Sequence, residues 1–75
     1  MFYEEFYQNE RLKVFCNYVD GELEGNYIEY YENGELKIIC SYFCGKLNGL
    51  YQEFDENGNI IRENFYISGE DYNNI

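Results

Sequence analysis

The chain repeats itself every 24 residues, and this internal repeat restricts the possible fold more than any other feature. When residues 12–35 are placed over residues 36–59 without a gap, twelve of the 24 positions are identical. A period of this length is typical of repeat architectures, in which each unit packs against its neighbours. The register continues towards both ends of the chain, where it becomes divergent. We therefore expect a single domain over residues 1–75, with units at about 1–11 (partial), 12–35, 36–59 and 60–75 (partial).

Each unit has the composition of a β-hairpin, because Tyr, Phe, Ile, Val and Cys are interrupted by Gly and Asn. Asn33-Gly34 and Asn57-Gly58 favour two-residue type I′ turns, whose central residues both need a positive φ. The two glycines four residues apart in a unit, such as Gly21 and Gly25, indicate a second, wider loop. The sequence thus predicts an all-β fold, an antiparallel meander of about six strands built from three 24-residue β-hairpin repeats. The strands are expected near residues 2–8, 11–19, 26–32, 35–43, 50–56 and 59–67.

Side-chain alternation predicts which residues of the second hairpin share a face of the sheet. With a two-residue turn at Asn33-Gly34, one face carries Tyr27, Glu29, Tyr31, Leu36, Ile38, Cys40 and Tyr42. The other face then carries Ile28, Tyr30, Lys37, Ile39, Ser41 and Phe43. A β-bulge at the turn would exchange these assignments. Either way, both faces hold large apolar groups, so the sheet must roll up, pair with another copy or present one face to a partner.

Charge and cysteine content exclude several classes of protein. Fifteen Asp and Glu against five Lys and Arg give a formal charge of −10, which disfavours direct binding to nucleic acid or to an anionic membrane. The chain has no apolar run long enough for a transmembrane helix and no basic-then-apolar signal pattern. The odd set of Cys16, Cys40 and Cys44 without a secretion signal predicts free thiols in a reducing compartment, and therefore a cytoplasmic protein.

The residues needed for catalysis or metal binding are also scarce. The chain has no histidine, so neither a serine nor a cysteine has a histidine base to activate it. Cys40 and Cys44 stand without the second pair of ligands that a zinc site requires. The recurring Glu5, Glu29 and Glu53 are better explained as a repeated solvent-facing position than as paired catalytic carboxylates. We expect no enzymatic activity, no cofactor and no metal.

Two segments of the chain resemble a known repeat. Residues 21–45 read GELEGNYIEYYENGELKIICSYFCG, and residues 45–69 read GKLNGLYQEFDENGNIIRENFYISG. They resemble the MORN repeat, in the bacterial variant found in YwqK-type antitoxin proteins. The resemblance implies a twisted stack of β-hairpins without catalytic machinery that serves as an interaction module. Some relatives are antitoxins, and longer ones are scaffolds or are associated with lipids, a role that the acidity of this chain disfavours.

The leading hypothesis is a non-enzymatic protein-interaction module that binds and inhibits another protein, one with a basic surface. It has two versions, an antitoxin or immunity protein and a phage-type acidic inhibitor, such as an anti-CRISPR that blocks a basic nucleic-acid channel. The candidate partner-binding residues combine aromatic anchors with an acidic rim: Tyr27, Tyr31, Tyr51 and Phe54 with Glu29, Glu32, Glu53, Asp55 and Glu56. The alternative is a structural, self-associating scaffold whose aromatic sheet face forms a homodimer.

Overall fold

A computed structural model describes residues 1–72, which fold into one antiparallel β-sheet. Nine strands occur in this part of the chain: β1 (Phe2–Phe6), β2 (Leu12–Val19), β3 (Glu22–Leu23), β4 (Gly25–Tyr30), β5 (Leu36–Phe43), β6 (Lys46–Leu47), β7 (Gly49–Phe54), β8 (Ile60–Ile67) and β9 (Glu70–Asp71). The order across the sheet is β1-β2-β4-β5-β7-β8-β9, with β3 beside β2 and β6 beside β5. The predicted all-β antiparallel meander is confirmed.

The six long strands match the six predicted ones, but the three two-residue strands were not predicted. Each short strand folds back on the preceding long strand through a tight turn, such as Asp20-Gly21 between β2 and β3. Both residues of that turn have positive φ, 51° and 80°, as type I′ geometry requires. The loops that the glycine spacing indicated as wide therefore begin with the tight hairpin turns of this fold.

The Asn-Gly sequences form a different turn from the predicted one. The Gly34 N–H donates to the Tyr31 carbonyl at 2.9 Å, and the Tyr31 N–H donates to the Glu35 carbonyl at 2.8 Å. Gly34 has a φ of 92°, whereas Asn33 is not in the positive-φ region. The prediction of a two-residue type I′ turn was therefore wrong, because a three-residue loop closes this hairpin, a type I turn followed by a left-handed glycine.

A β-bulge next to this loop restores the predicted pairing. Tyr30 lies opposite Leu36 but Glu29 lies opposite Ile38, which leaves Lys37 as the extra residue. The additional loop residue and the bulge cancel, so the body of the hairpin has the register expected for a two-residue turn. The predicted faces are confirmed along the hairpin except at Leu36 and Lys37, which exchange sides. The same irregularity recurs one unit earlier and one unit later.

The sheet is a single layer with very little interior. The described residues measure 40 × 32 × 10 Å, and ten ångströms is about the thickness of one sheet with its side chains. Within residues 1–72 the buried hydrophobic residues are Val14, Cys16 and Cys40. All three cysteines are free thiols, as predicted. No helix in this part of the chain is long and apolar enough to cross a membrane.

Candidate protein-interaction surfaces

The two faces of the sheet carry different aromatic residues. Strand register and side-chain alternation place six tyrosines on one side, here called the tyrosine face: Tyr3, Tyr18, Tyr27, Tyr42, Tyr51 and Tyr66. All six phenylalanines lie on the opposite side, here called the phenylalanine face: Phe2, Phe6, Phe15, Phe43, Phe54 and Phe65. Because the 24-residue period keeps each position on the same side in every unit, this arrangement extends across the whole sheet. Tyr30 lies on the phenylalanine face, at the position that Phe6 and Phe54 occupy in the other hairpins.

The tyrosine face is the more closely packed of the two. Its tyrosines form three edge-to-face pairs, one in each long hairpin, with ring centroids 6.0–6.3 Å apart: Tyr3–Tyr18, Tyr27–Tyr42 and Tyr51–Tyr66. The three buried residues Val14, Cys16 and Cys40 lie on the same face. An edge-to-face pair contributes about 0.5–1.5 kcal/mol beyond the area that it buries. The repeated pairs therefore stabilise the stack of units from this side.

Glutamates accept hydrogen bonds from tyrosines of the same strand on this face. The Tyr27 hydroxyl donates to Glu29 Oε1 at 2.9 Å, and the Tyr51 hydroxyl donates to Glu53 Oε1 at 3.3 Å. Burial, together with Glu29, raises the pKa of Tyr27, and burial, together with Glu53, raises the pKa of Tyr51 to about 12. Both phenols are therefore neutral donors at physiological pH.

The chain's own cations lie over tyrosine rings. Lys37 Nζ is 3.2 Å from Glu29 Oε2 and 5.5 Å from the centroid of the Tyr31 ring. The Arg62 guanidinium is 5.7 Å from the centroid of the Tyr51 ring, on the strand position opposite Glu53. Hydrogen bonding to Glu29 raises the pKa of Lys37, so its charge is retained well into the alkaline range. A tyrosine ring with a nearby carboxylate is an effective site for a cation.

The loops that follow β4 and β7 lie at the same end of the sheet. The Tyr31 hydroxyl donates to the Phe54 carbonyl at 2.8 Å and so links one hairpin to the next. One unit later, Asp55 Oδ1 accepts from the Asn57 and Asn59 N–H groups, both at 2.9 Å, within its own turn. These backbone hydrogen bonds, that of Asn59 above all, lower the pKa of Asp55. The loops are therefore held by internal hydrogen bonds and carry negative charge.

The nine predicted partner-binding residues lie in three different places in the structure. Tyr27, Glu29, Tyr51 and Glu53 lie together, half-buried, on the tyrosine face. Tyr31, Glu32, Asp55 and Glu56 lie in or beside the loops, where Glu32 and Glu56 are exposed. Phe54 lies on the opposite face from Tyr51 and Glu53. Eight of the nine thus belong to the tyrosine face or its adjoining loops, and Phe54 does not share that surface.

Sequence reasoning did not single out the phenylalanine face, which is the more exposed of the two. Phe2 is 70% exposed and Phe43 is 61% exposed. Phe2 stacks on Phe15, with 5.5 Å between the ring centroids. Phe15, Ile28 and Ile39 lie side by side across β2, β4 and β5. The signal that could have found this face is the placement of every phenylalanine, together with Tyr30, at strand positions that alternate with those of the six tyrosines on the other face.

Charge is confined to the margins of the phenylalanine face. In the six long strands its charged residues are Glu4 on β1 and Glu63 on β8, at opposite margins of the sheet. Glu63 accepts a hydrogen bond from the Gln52 amide at 2.7 Å. The short strands add Glu22, Lys46 and Glu70 along one end of the sheet, opposite Val19, Phe43 and Ile67. The area between these marginal charges is neutral and mostly apolar. Residues 1–72 enclose no pocket on either side, and they bring together no group of three potential metal ligands.

The hairpin units are those of a known repeat. The family model described as MORN repeat variant matches residues 23–43 and 47–68, more than half of the chain. This chain belongs to the MORN repeat family. Each matched segment of the MORN chain covers one long hairpin, β4–β5 in the first and β7–β8 in the second. No curated protein and no solved structure matches the chain. MORN repeats are non-enzymatic modules that generally mediate interactions with proteins or membranes.

Proposed function

We propose that this MORN chain binds another protein that has a basic surface, and that it does so through the tyrosine face and the adjoining acidic loops. The observation that carries the proposal is the position of Lys37, between the Glu29 carboxylate and the Tyr31 ring. Arg62 over the Tyr51 ring repeats this arrangement one unit later. The chain's own cations thus display the contacts that lysine and arginine side chains of a partner would make.

The charge of the chain supports a basic partner. The formal charge of −10 gives the surface a long-range negative field, which accelerates encounter with a positive protein and repels other acidic ones. Glu32 and Glu56 are exposed in neighbouring loops, where they form an acidic rim beside the aromatic surface. Aromatic anchors at the centre with charges at the rim are the usual distribution in a protein interface.

We further propose that binding inhibits the partner. One version is an antitoxin or immunity protein that neutralises a toxin. The other is an acidic inhibitor of the phage type, for example an anti-CRISPR, that occupies a basic nucleic-acid channel. The charge of the chain favours the second version, because an acidic surface competes directly with a phosphate backbone for the same lysines and arginines.

A capture experiment tests the proposal and distinguishes its versions. The immobilised protein is exposed to extract of its source cell at about 0.1 M salt, and bound protein is eluted with a rising salt gradient. A channel blocker is expected to release a basic partner as the Debye length shrinks from about 10 Å towards about 3 Å at 1 M. Added DNA or RNA should displace the same partner. An antitoxin anchored mainly by aromatic contacts should resist both treatments.

Two double variants with the same change in charge give the matched comparison. Glu29→Gln with Glu53→Gln removes two charges from the tyrosine face, and Glu4→Gln with Glu63→Gln removes two from the phenylalanine face. The first pair is expected to weaken partner binding much more than the second pair. If both double variants lose the same affinity for the partner, or if the second loses more, the tyrosine face is not the binding surface.

A further inference from the structure

Within residues 1–72 no second layer covers the phenylalanine face. Exposed side chains from every part of the sheet contribute to it, including Phe2, Phe43, Leu50, Phe65 and Ile67. Monomeric proteins rarely expose a contiguous apolar patch of more than a few hundred square ångströms. A sheet of 40 × 32 Å offers a larger area than that, and more than the roughly 800 Å² per partner that a standard stable interface buries.

The small interior of the sheet bears on when a second layer must pack on the phenylalanine face. Within residues 1–72 the buried hydrophobic residues are Val14, Cys16 and Cys40, all on the other face. A single layer with so small an interior lacks the second layer from which a stable domain builds its core. The missing layer is therefore needed whenever the chain is folded, whether or not a target protein is available. A second copy of the chain meets that condition.

The distribution of charge also fits a second copy better than a basic partner. In the long strands the phenylalanine face carries no lysine or arginine, and its two carboxylates, Glu4 and Glu63, lie on the outermost long strands. The short strands place Lys46 between Glu22 and Glu70 along one end of the sheet. The centre of the face is formed by neutral rows such as Phe15–Ile28–Ile39. Such a face has little to attract a positive surface, but it is complementary to another apolar face. Packing two of them together also directs both acidic tyrosine faces outward.

We infer that the phenylalanine face is closed by the same face of a second copy, which gives a two-layer β-sandwich. Face-to-face sheets pack about 10 Å apart with interdigitating side chains, and the large, weakly polar side chains of this face suit that arrangement. The contact is isologous, since the same patch serves both copies. This inference is independent of the proposed function, because it uses the opposite face of the sheet. The partner-binding surface remains free in the dimer.

The experiment is sedimentation of the purified protein over a wide concentration range, together with two lysine variants. Leu50 on the phenylalanine face and Tyr3 on the tyrosine face are similarly exposed, 47% and 45%. Leu50→Lys places a charge in the dimer interface and is expected to raise the dissociation constant about 30-fold or more, as the loss of a central apolar contact does. Tyr3→Lys adds the same charge outside the interface and should leave the dimer intact.

The unmodified chain keeps the inference testable if Leu50→Lys fails to fold. A wild-type protein that is folded and monomeric at all concentrations would overturn it, as would a dimer that Tyr3→Lys disrupts and Leu50→Lys does not. Salt gives an independent readout. The dimer should strengthen as salt rises, because repulsion between two chains of charge −10 is screened. Dimerisation that weakens with salt would contradict an interface between the two apolar faces.

Discussion

The three cysteines lie in different surroundings, and their reactivity should differ accordingly. Cys16 and Cys40 are 1% and 4% exposed, whereas Cys44 is exposed in the turn before β6. Burial raises the pKa of Cys16, and burial together with Glu29 raises the pKa of Cys40 to about 11. Because the thiolate is the reactive form, iodoacetamide at mildly alkaline pH should modify Cys44 and leave the other two intact.

Mass spectrometry of the native protein measures this prediction directly. The control is the same reaction in concentrated urea, where all three thiols are expected to react. Modification of Cys40 as fast as that of Cys44 in the native protein would show that the tyrosine face does not shield its sulfur.

The half-buried phenols predict a loss of stability at alkaline pH. Their raised pKa values mean that the folded chain prefers the neutral phenol more strongly than the unfolded chain does. The resulting stabilisation is complete below the ordinary tyrosine pKa of about 10. It is lost as the pH rises from there towards about 12, the pKa of folded Tyr51. The free energy of unfolding in urea should fall across this window.

Tyr51→Phe supplies the control for this pH dependence. The variant lacks one of the ionising groups, so its free energy of unfolding should fall less between pH about 10 and about 12 than that of the wild type. An identical pH dependence in the two proteins would mean that Tyr51 does not contribute in the way its burial implies.

At the scale of the elements, the three-residue loops depend on a residue in the left-handed region. Gly34 occupies it with a φ of 92°, and the corresponding position of the first unit is Glu10 with a φ of 71°. Strain of about 1–2 kcal/mol for a non-glycine residue exceeds the roughly 0.5–1 kcal/mol of extra backbone entropy that a glycine loses on folding. Glu10→Gly should therefore stabilise the protein, and Gly34→Ala should destabilise it.

The midpoints of urea unfolding test these predictions, since Glu10→Gly should raise the midpoint and Gly34→Ala should lower it. An added Cβ at Gly34 would lie 3.2 Å from Arg11 Nη1, the end of a flexible side chain, so the backbone conformation is expected to dominate the loss. If Glu10→Gly lowers the midpoint, strain at Glu10 is not the controlling factor.

Adjacent hairpins are also joined by tyrosine hydroxyls. The Tyr7 hydroxyl donates to the Tyr30 carbonyl at 2.7 Å, and Tyr31 repeats the contact one unit later. Removing such a hydroxyl leaves a half-buried carbonyl without its donor, so Tyr31→Phe should lower the free energy of unfolding by about 1 kcal/mol. Tyr30→Phe removes a hydroxyl from the neighbouring residue that takes no part in this bond, and it should cost less. If urea unfolding shows that the two variants lose the same free energy of unfolding, the Tyr31 hydroxyl does not link the hairpins.

At the scale of the whole molecule, net charge opposes folding. Fifteen acidic and five basic side chains are held on a body only 10 Å thick. Their mutual repulsion is relieved by salt, so the melting temperature should rise between about 0.1 M and about 1 M sodium chloride, where the Debye length falls from about 10 Å to about 3 Å. Scanning calorimetry at constant protein concentration measures the effect. A falling melting temperature would indicate that pairs such as Lys37–Glu29 outweigh the repulsion.

The repeat, the strand residues and the glycine spacing determined most of the secondary structure. The 24-residue period places equivalent residues at equivalent positions in each hairpin. Locating one hairpin in the sequence therefore locates the other two, which gives the six long strands. Alternation then assigned Tyr27, Glu29 and Cys40 to one face and Ile28 and Ile39 to the other, as the structure shows. These features are local, since each depends on neighbouring residues or on the period alone.

What only the tertiary structure decided is the detail of the turns and the difference between the two faces. The Asn33-Gly34 loop and the bulge at Lys37 differ by single residues from a simple hairpin, and the pairing of whole strands selects them. Likewise, residue type does not reveal that the tyrosines pack on one another while the phenylalanines remain exposed. Burial depends on how strands from separate units lie across the sheet, which is a property of the assembled layer and not of any one segment.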